Sequence, residues 1–327
     1  MDCNINSFPQ FFSKIRFPLI VLVILIHVYS ELTQIVAIDS YLISSLMRWI
    51  SLIFARTAVP FFFLISGYFF FYGIEKFDLA CYMGKLKRRV KSLLIPYIAW
   101  NTIFLFLYAV KGNEVGYRDF WDGNGGSPIC YPFWFIRDLM IVCVSSPIIY
   151  FIVKKLKYIA ILFIIAWMVI EGGISESFTF FVIGATLSIY RIEIIINKTK
   201  ALIITIFSLV VSLIFTNWAL VNNYVLYAVV LVLMMGIYSL MCLIYEKIYI
   251  PRFLMDSTLF VLGLSTLLIM LLVKLMQHFT VISSLTLFIT YILIAFLAAV
   301  ISVTCYSIIS RFRFSFILTG KSYCSKG

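Results

Sequence analysis

Charge is scarce in this 327-residue chain. Asp, Glu, Lys and Arg make up 12% of it, against 63% hydrophobic residues and a mean hydropathy of +1.08. A soluble domain carries about 25% charged and about 45–50% apolar residues. No soluble fold covers this much Leu, Ile, Val and Phe with so few charges, so the composition predicts a polytopic integral membrane protein. Histidine is scarcer still, with only His27 and His278. The seven cysteines stand singly, with no Cys-x-x-Cys pair. Metal-ligand spacing is therefore missing and no metal site is expected; most of the cysteines read as small buried hydrophobes. No small-residue cleavage site follows the first apolar run, which reads as a retained span. Internal repeats and inverted symmetry are also lacking, which weighs against a repeat-built secondary transporter.

What is present is a series of apolar runs near the length of about 20 residues that a membrane crossing needs. They lie at 17–36, 54–73, 92–110, 133–153, 158–172, 177–190, 202–220, 224–244, 258–275 and 283–307. The expected fold is an all-α transmembrane bundle of about ten spans in one domain, 1–327. Residues 40–53 read as an interfacial amphipathic helix leading into the second span. The net charge of +12 suggests either nucleic acid or the basic bias of cytoplasmic loops, and the placement of the charges decides. All but six of the 26 basic residues fall in alternate connections; the six are Arg48, Arg56, Lys111, Arg118, Arg137 and Lys274. That alternation predicts cytoplasmic N and C termini and no nucleic-acid partner. The longest outer connection, 111–132, mixes acids, aromatics, Gly and Pro. It suits a sugar-facing loop and an interfacial aromatic belt equally.

Four stretches can carry chemistry. Arg16 and His27 are eleven residues apart, about three helical turns, so they share a face with His27 about 16 Å further along. Glu31 follows one turn later, within side-chain reach. An ionisable group inside a membrane is costly and calls for a function. Histidine serves as a general base near neutral pH, and Glu31 is a candidate to orient it. The plain alternative for His27 is a neutral imidazole hydrogen-bonded between helices; the shared stripe favours chemistry. The second stretch, KLKRRVKSLLIPYIAW from Lys85, packs five basic residues into seven positions. It fits either attraction to anionic lipid or a grip on the phosphates of a cytoplasmic cofactor. The third, RTAVPFFFLISGYFFF, places Arg56 at the outer end of the second span. There Pro60 and Ser66–Gly67 are able to kink the helix and admit a close neighbour. The fourth, FWFIRDLM, opens the next span with Trp134, Arg137 and Asp138. Adjacent positions on a helix face apart, so each of the two charges is expected to find its partner elsewhere.

Together these stretches resemble the membrane acyltransferase-3 family, whose members O-acylate surface polysaccharides and related glycans. Arg16-x10-His27 matches its first-helix motif, and Arg56-x3-Pro60 with FFFLISGYF its second-span signature. RRVKSLLIPY is similar to its basic motif at the third span, FWFIRDLM with Pro147 to its fourth-span motif, and Leu318–Lys321 (LTGK) to a common ending. The resemblance implies a multi-pass protein of a bacterial inner membrane, surrounded by lipid, that takes an acyl group from acyl-CoA, acetyl-CoA being the commonest. Arg88, Arg89 and Lys91 would hold the donor's phosphates. His27 would act as base or acyl carrier, aided by Arg16 and Glu31. A glycan or lipid-linked glycan acceptor would meet Arg56, Arg137 and Trp134. The chain departs from the family in carrying Arg89-x-Lys91 rather than Arg-x-Arg. It also lacks a late-span tyrosine and histidine in STLFVLGLSTLLIM, and His278 lies beyond that stretch. The competing readings are a glycan-lipid flippase or exporter and an inactive paralogue.

Overall fold

Backbone amides that leave water must bond to one another, and apolar runs do this as helices. A computed structural model describes residues 2–3, 8–36, 38–75, 77–122, 126–171, 174–192, 194–245, 247–277 and 283–321. His278 lies outside the described residues. The first helix, α1, spans Phe8–Thr33. The next, α2 (Tyr41–Arg48), runs on through a π-helical stretch (Trp49–Phe54) and a 3-10 turn (Ala55–Thr57) into α3 (Ala58–Phe71). α4 (Leu79–Arg89) passes through a second π-helical stretch (Val90–Leu94) into α5 (Ile95–Val110). Then come α6 (Trp134–Val144), α7 (Ser146–Leu156), α8 (Ile159–Glu171) and α9 (Ile174–Ile189). The last third holds α10 (Lys198–Ile214), α11 (Thr216–Val221), α12 (Asn223–Ile244), α13 (Arg252–Met276), α14 (Ser284–Ile309) and α15 (Phe316–Thr319). One two-residue antiparallel bridge pairs Asp2–Cys3 with Ile196–Asn197.

Among the described residues six helices are long and apolar enough to cross a membrane: Phe8–Thr33, Tyr41–Phe71, Leu79–Val110, Asn223–Ile244, Arg252–Met276 and Ser284–Ile309. A seventh arises if Tyr131–Val144 and Ser146–Leu156, bent by 63°, count as one broken span. Helices form at each of the ten predicted runs. However, α8 and α9 have 13 and 16 residues, about 20 and 24 Å at 1.5 Å per residue, short of a core about 30 Å thick. The helix expected at 40–53 forms, but it continues without interruption into the next span.

Prolines explain where the pitch changes. Pro60 has no amide hydrogen for the Arg56 carbonyl four residues back, and its ring crowds that carbonyl; the 3-10 turn Ala55–Thr57 sits there. In the same way Pro96 has no amide hydrogen for the Ser92 carbonyl, within the π-helical stretch Val90–Leu94. Pro147 follows the sharp break between α6 and α7.

Two glycines bring α3 and α9 into backbone contact. A Cβ on Gly67 would strike the Phe181 carbonyl, and one on Gly184 would strike the Leu64 carbonyl and the Tyr68 amide. The Ser66–Gly67 pair is thus a docking point for α9. At the start of α1, Lys14 donates to the Tyr245 and Ile248 carbonyls (3.1 and 3.2 Å), where α12 ends. Carbonyls left unpaired at a helix C-terminus attract cations in this way.

Candidate active site

A cavity of about 310 Å³ runs between α1, α3, α6 and α13. Its α1 wall is made by Arg16, Ile20, Val23 and His27, and its α3 wall by Val59, Phe62, Ser66 and Phe69. Both sets repeat every three or four residues, the period of one helix face. The two helices run in opposite directions past each other. The Arg16 guanidinium lies 5.0 Å from the centre of the Phe69 ring, a cation–π contact. From that level His27 lies about 16 Å along α1 and Arg56 about 20 Å along its own helix, so both reach the same end of the cavity.

At the Arg16 end, Arg89 also lines the cavity, and Arg16 lies in the electrostatic field of Arg89 and Asp256. At the His27 end, the Tyr131 ring stands edge-on to the imidazole, centroids 5.9 Å apart, and Trp134 and Pro132 complete the wall. Arg56 there faces Glu176 of α9, with 3.7 Å between Nη2 and Oε2; the Glu176 side chain is 12% exposed. Among the described residues neither nitrogen of His27 has a hydrogen-bond partner, so the plain reading of an interhelical hydrogen bond has no support here.

Five of the nine residues singled out from the sequence therefore meet around one cavity: Arg16, His27, Arg56, Arg89 and Trp134. The other four lie elsewhere. Glu31 is half-buried one turn beyond His27, about 6 Å along the axis, and it does not line the cavity. Arg88 and Lys91 are exposed, and Arg88 Nε donates within its own helix to the Gly84 carbonyl (3.3 Å). Arg137 works on the 111–132 connection: Nη1 donates to the Trp121 and Gly126 carbonyls, each at 2.8 Å.

Arg137 also corrects an expectation. Its Nε bonds Asp138 Oδ1 at 3.0 Å, although the two are neighbours in sequence. Both side chains are nearly buried, and the long arginine stem curls back because an unpaired buried carboxylate would cost more than the bend. The same connection is tied down by Tyr97 donating to the Phe120 carbonyl and by the Cys130 amide donating to Asn101 Oδ1 at 3.1 Å. Its described residues are thus held to the bundle, and it ends at Tyr131, beside His27.

Sequence reasoning missed Glu176 and Tyr131. The predicted sixth span begins at residue 177, one position after Glu176, and leaves the acid outside it. An acidic residue adjoining an apolar run, where burial is expensive, was the available signal.

A bundle of membrane-length helices around a cavity that holds three arginines and a histidine defines a multi-pass membrane protein. Over residues 14–309 the chain matches the model of the acyltransferase domain, and it belongs to the acyltransferase-3 family. A relative, the succinoglycan biosynthesis protein ExoH of Rhizobium meliloti (strain 1021), is 26% identical over 131 residues, 35% of this chain and 35% of that protein. The alignment thus spans about a third of the relative's length. No solved structure matches the chain.

Proposed function

We propose that this chain is a membrane O-acyltransferase that moves a short acyl group, acetyl foremost, from acyl-CoA to a hydroxyl of a surface or lipid-linked glycan. The observation that carries the reading is the single cavity with Arg16 and Arg89 at one end and His27, Arg56 and Trp134 at the other. CoA is polyanionic and enters at the basic end, its thioester arm reaching up to His27. His27 takes the proton of the acceptor hydroxyl, and the oxygen attacks the thioester carbonyl. The intermediate expels the thiolate, which recovers the proton from the imidazolium. If the histidine instead carries the acyl group, its nitrogen displaces the thiolate first and the hydroxyl then attacks the acyl-imidazole. A volume of 310 Å³ is at the lower end of the roughly 300–1,000 Å³ of ligand sites. It suits a slender arm and one sugar hydroxyl. A sugar-linked acceptor is also in keeping with the role of ExoH in succinoglycan biosynthesis.

In this reading all ten helical segments cross a bacterial inner membrane, the short ones with local thinning. Both termini are cytoplasmic, in line with the basic bias. The direct test supplies acyl-labelled CoA to the cytoplasmic face of membrane vesicles that contain the acceptor. Label appearing as an alkali-labile ester on the glycan supports the reading. Loss of the whole surface glycan on deleting the protein, rather than of its acyl groups, would mark a transporter instead.

Glu176 is ion-paired with Arg56 beside the position of the acceptor. Glu176→Gln leaves His27 in place and weakens only that pair, so acceptor KM is expected to rise severalfold with kcat within about twofold. Steady-state kinetics over acceptor concentration check this; an unchanged KM would detach Glu176 from acceptor binding.

A further inference from the structure

Two motifs more than 200 residues apart meet at the basic end of the cavity. Gly320 lies in the left-handed region (φ 68°), and a Cβ there would strike the Ser92 carbonyl, the one for which Pro96 has no amide hydrogen. The indole Nε1 of Trp100 donates to the Leu318 carbonyl at 3.1 Å. These contacts fasten Leu318–Lys321 beside the stretch that joins α4 to α5. Lys321 Nζ then pairs with Asp256 Oδ1, and Arg252 reaches the other oxygen of the same carboxylate at 3.8 Å. Asp256 lies two and three residues before Thr258 and Leu259, which line the cavity.

Charge at this mouth is unbalanced. Arg252 and Lys321 pair with one carboxylate, Asp256, whose field also reaches Arg16, and Arg89 lies in turn within the field of Arg16. Burial holds the Lys321 pKa below its ordinary value; Asp256 opposes the shift, and Arg16 and Arg252 add to it. A lysine crowded by cations and shared with one acid has unused capacity for an anion. Its side chain is 44% exposed, so that anion has access. Like Arg88 and Lys91, Lys321 does not itself line the cavity; it is tied to the wall through Asp256, whereas Arg88 and Lys91 have no such tie among the described contacts.

We infer that Lys321, placed by Asp256 and by the Gly320–Ser92 contact, is a phosphate-binding residue of the donor site and acts there with Arg89. The inference rests on the acyl-CoA reading above. It gives the last residues of the described chain a direct part in gripping the adenosine 3′,5′-bisphosphate portion of CoA.

The test measures equilibrium binding of CoA and of adenosine 3′,5′-bisphosphate to the full chain in nanodiscs. The variants are Lys321→Gln, Lys321→Arg, Arg89→Ala and Lys91→Ala. Lys321→Gln keeps the stem and a hydrogen bond to Asp256 and removes only the charge. It is expected to weaken both ligands about tenfold, in keeping with a charge-assisted phosphate contact. Lys321→Arg is expected to stay within about threefold of the parent and Lys91→Ala within about twofold. Raised salt should narrow the gap between parent and Lys321→Gln, since screening weakens the lost interaction. A Lys321→Gln protein that melts like the parent and binds the bisphosphate with parental affinity, while Arg89→Ala loses it, overturns the inference and leaves the donor reading standing. If the parent binds neither ligand, the donor reading fails with it. If Lys321→Gln melts below the parent and Lys321→Arg does not restore bisphosphate binding, the residue is structural and the inference is overturned.

Discussion

His27→Ala is expected to abolish acyl transfer, a loss of about 10²–10⁴-fold, the range that a positioned general base contributes. The protein should still fold. Among the described residues the imidazole has no hydrogen-bond partner, so its removal leaves no buried donor or acceptor unpaired, the usual source of a large stability cost. Few substitutes are at hand. Tyr131, Pro132 and Trp134 form the wall beside His27, Arg56 is a cation, and the nearby acid, Glu176, is engaged with that arginine. His27→Gln should fare no better, because an amide can hydrogen-bond but does not take up a proton at neutral pH. The measurement is the ester content of the glycan from cells making parent or variant at equal protein level. Intact O-acylation with His27→Ala would remove the histidine from the chemistry. Complete loss of the glycan would point to transport instead.

The local half of this site is legible in the sequence. Spacing on a single helix needs no tertiary knowledge, so Arg16, Ile20, Val23 and His27 are assigned to one face by the period alone, and they do form one wall of the cavity. The Arg56–Pro60 spacing is equally local, since a proline acts on the carbonyl four residues before it. Glu31 shows the limit of such reasoning. It shares the stripe but does not line the cavity, whereas Tyr131, which stands edge-on to His27, arrives from a connection 100 residues away. Arg88, Arg89 and Lys91 show the same limit from the other side. Their density is obvious in the sequence, but only Arg89 lines the cavity. Asp256 and Lys321 are 65 residues apart and belong to unrelated sequence patterns; only folding brings them together. Arg137 and Asp138 fail for a different reason. The rule that neighbours on a helix face apart describes Cβ directions, and a long guanidinium stem at a helix start overrides it when a carboxylate is buried beside it.

The largest expected effect on folding comes from Gly184→Leu. The atoms a side chain would meet there are the Leu64 carbonyl and the Tyr68 amide, which belong to the α3 backbone. A side chain can turn to another rotamer, but a helix backbone yields only by moving the whole helix. Overpacking costs about 1–3 kcal/mol where side chains absorb the strain, so a backbone clash should reach or pass the top of that range. That is a large share of the roughly 5–15 kcal/mol that holds a typical domain together. Function is coupled to the same contact. Glu176 lies eight residues before Gly184 on α9, about 12 Å along the axis, so pushing α9 off α3 draws the carboxylate away from Arg56. The matched control is Gly84→Ala on α4, where a Cβ meets nothing within 4 Å; removing backbone freedom from a helical glycine stabilises by up to about 1 kcal/mol. Thermal melting followed by size-exclusion chromatography in detergent compares the two. Gly184→Leu should lose the monodisperse folded species at temperatures where Gly84→Ala keeps it. A Gly184→Leu protein that melts with the parent would mean that α3 and α9 do not meet backbone to backbone, and the pairing of Arg56 with Glu176 would fall with that contact.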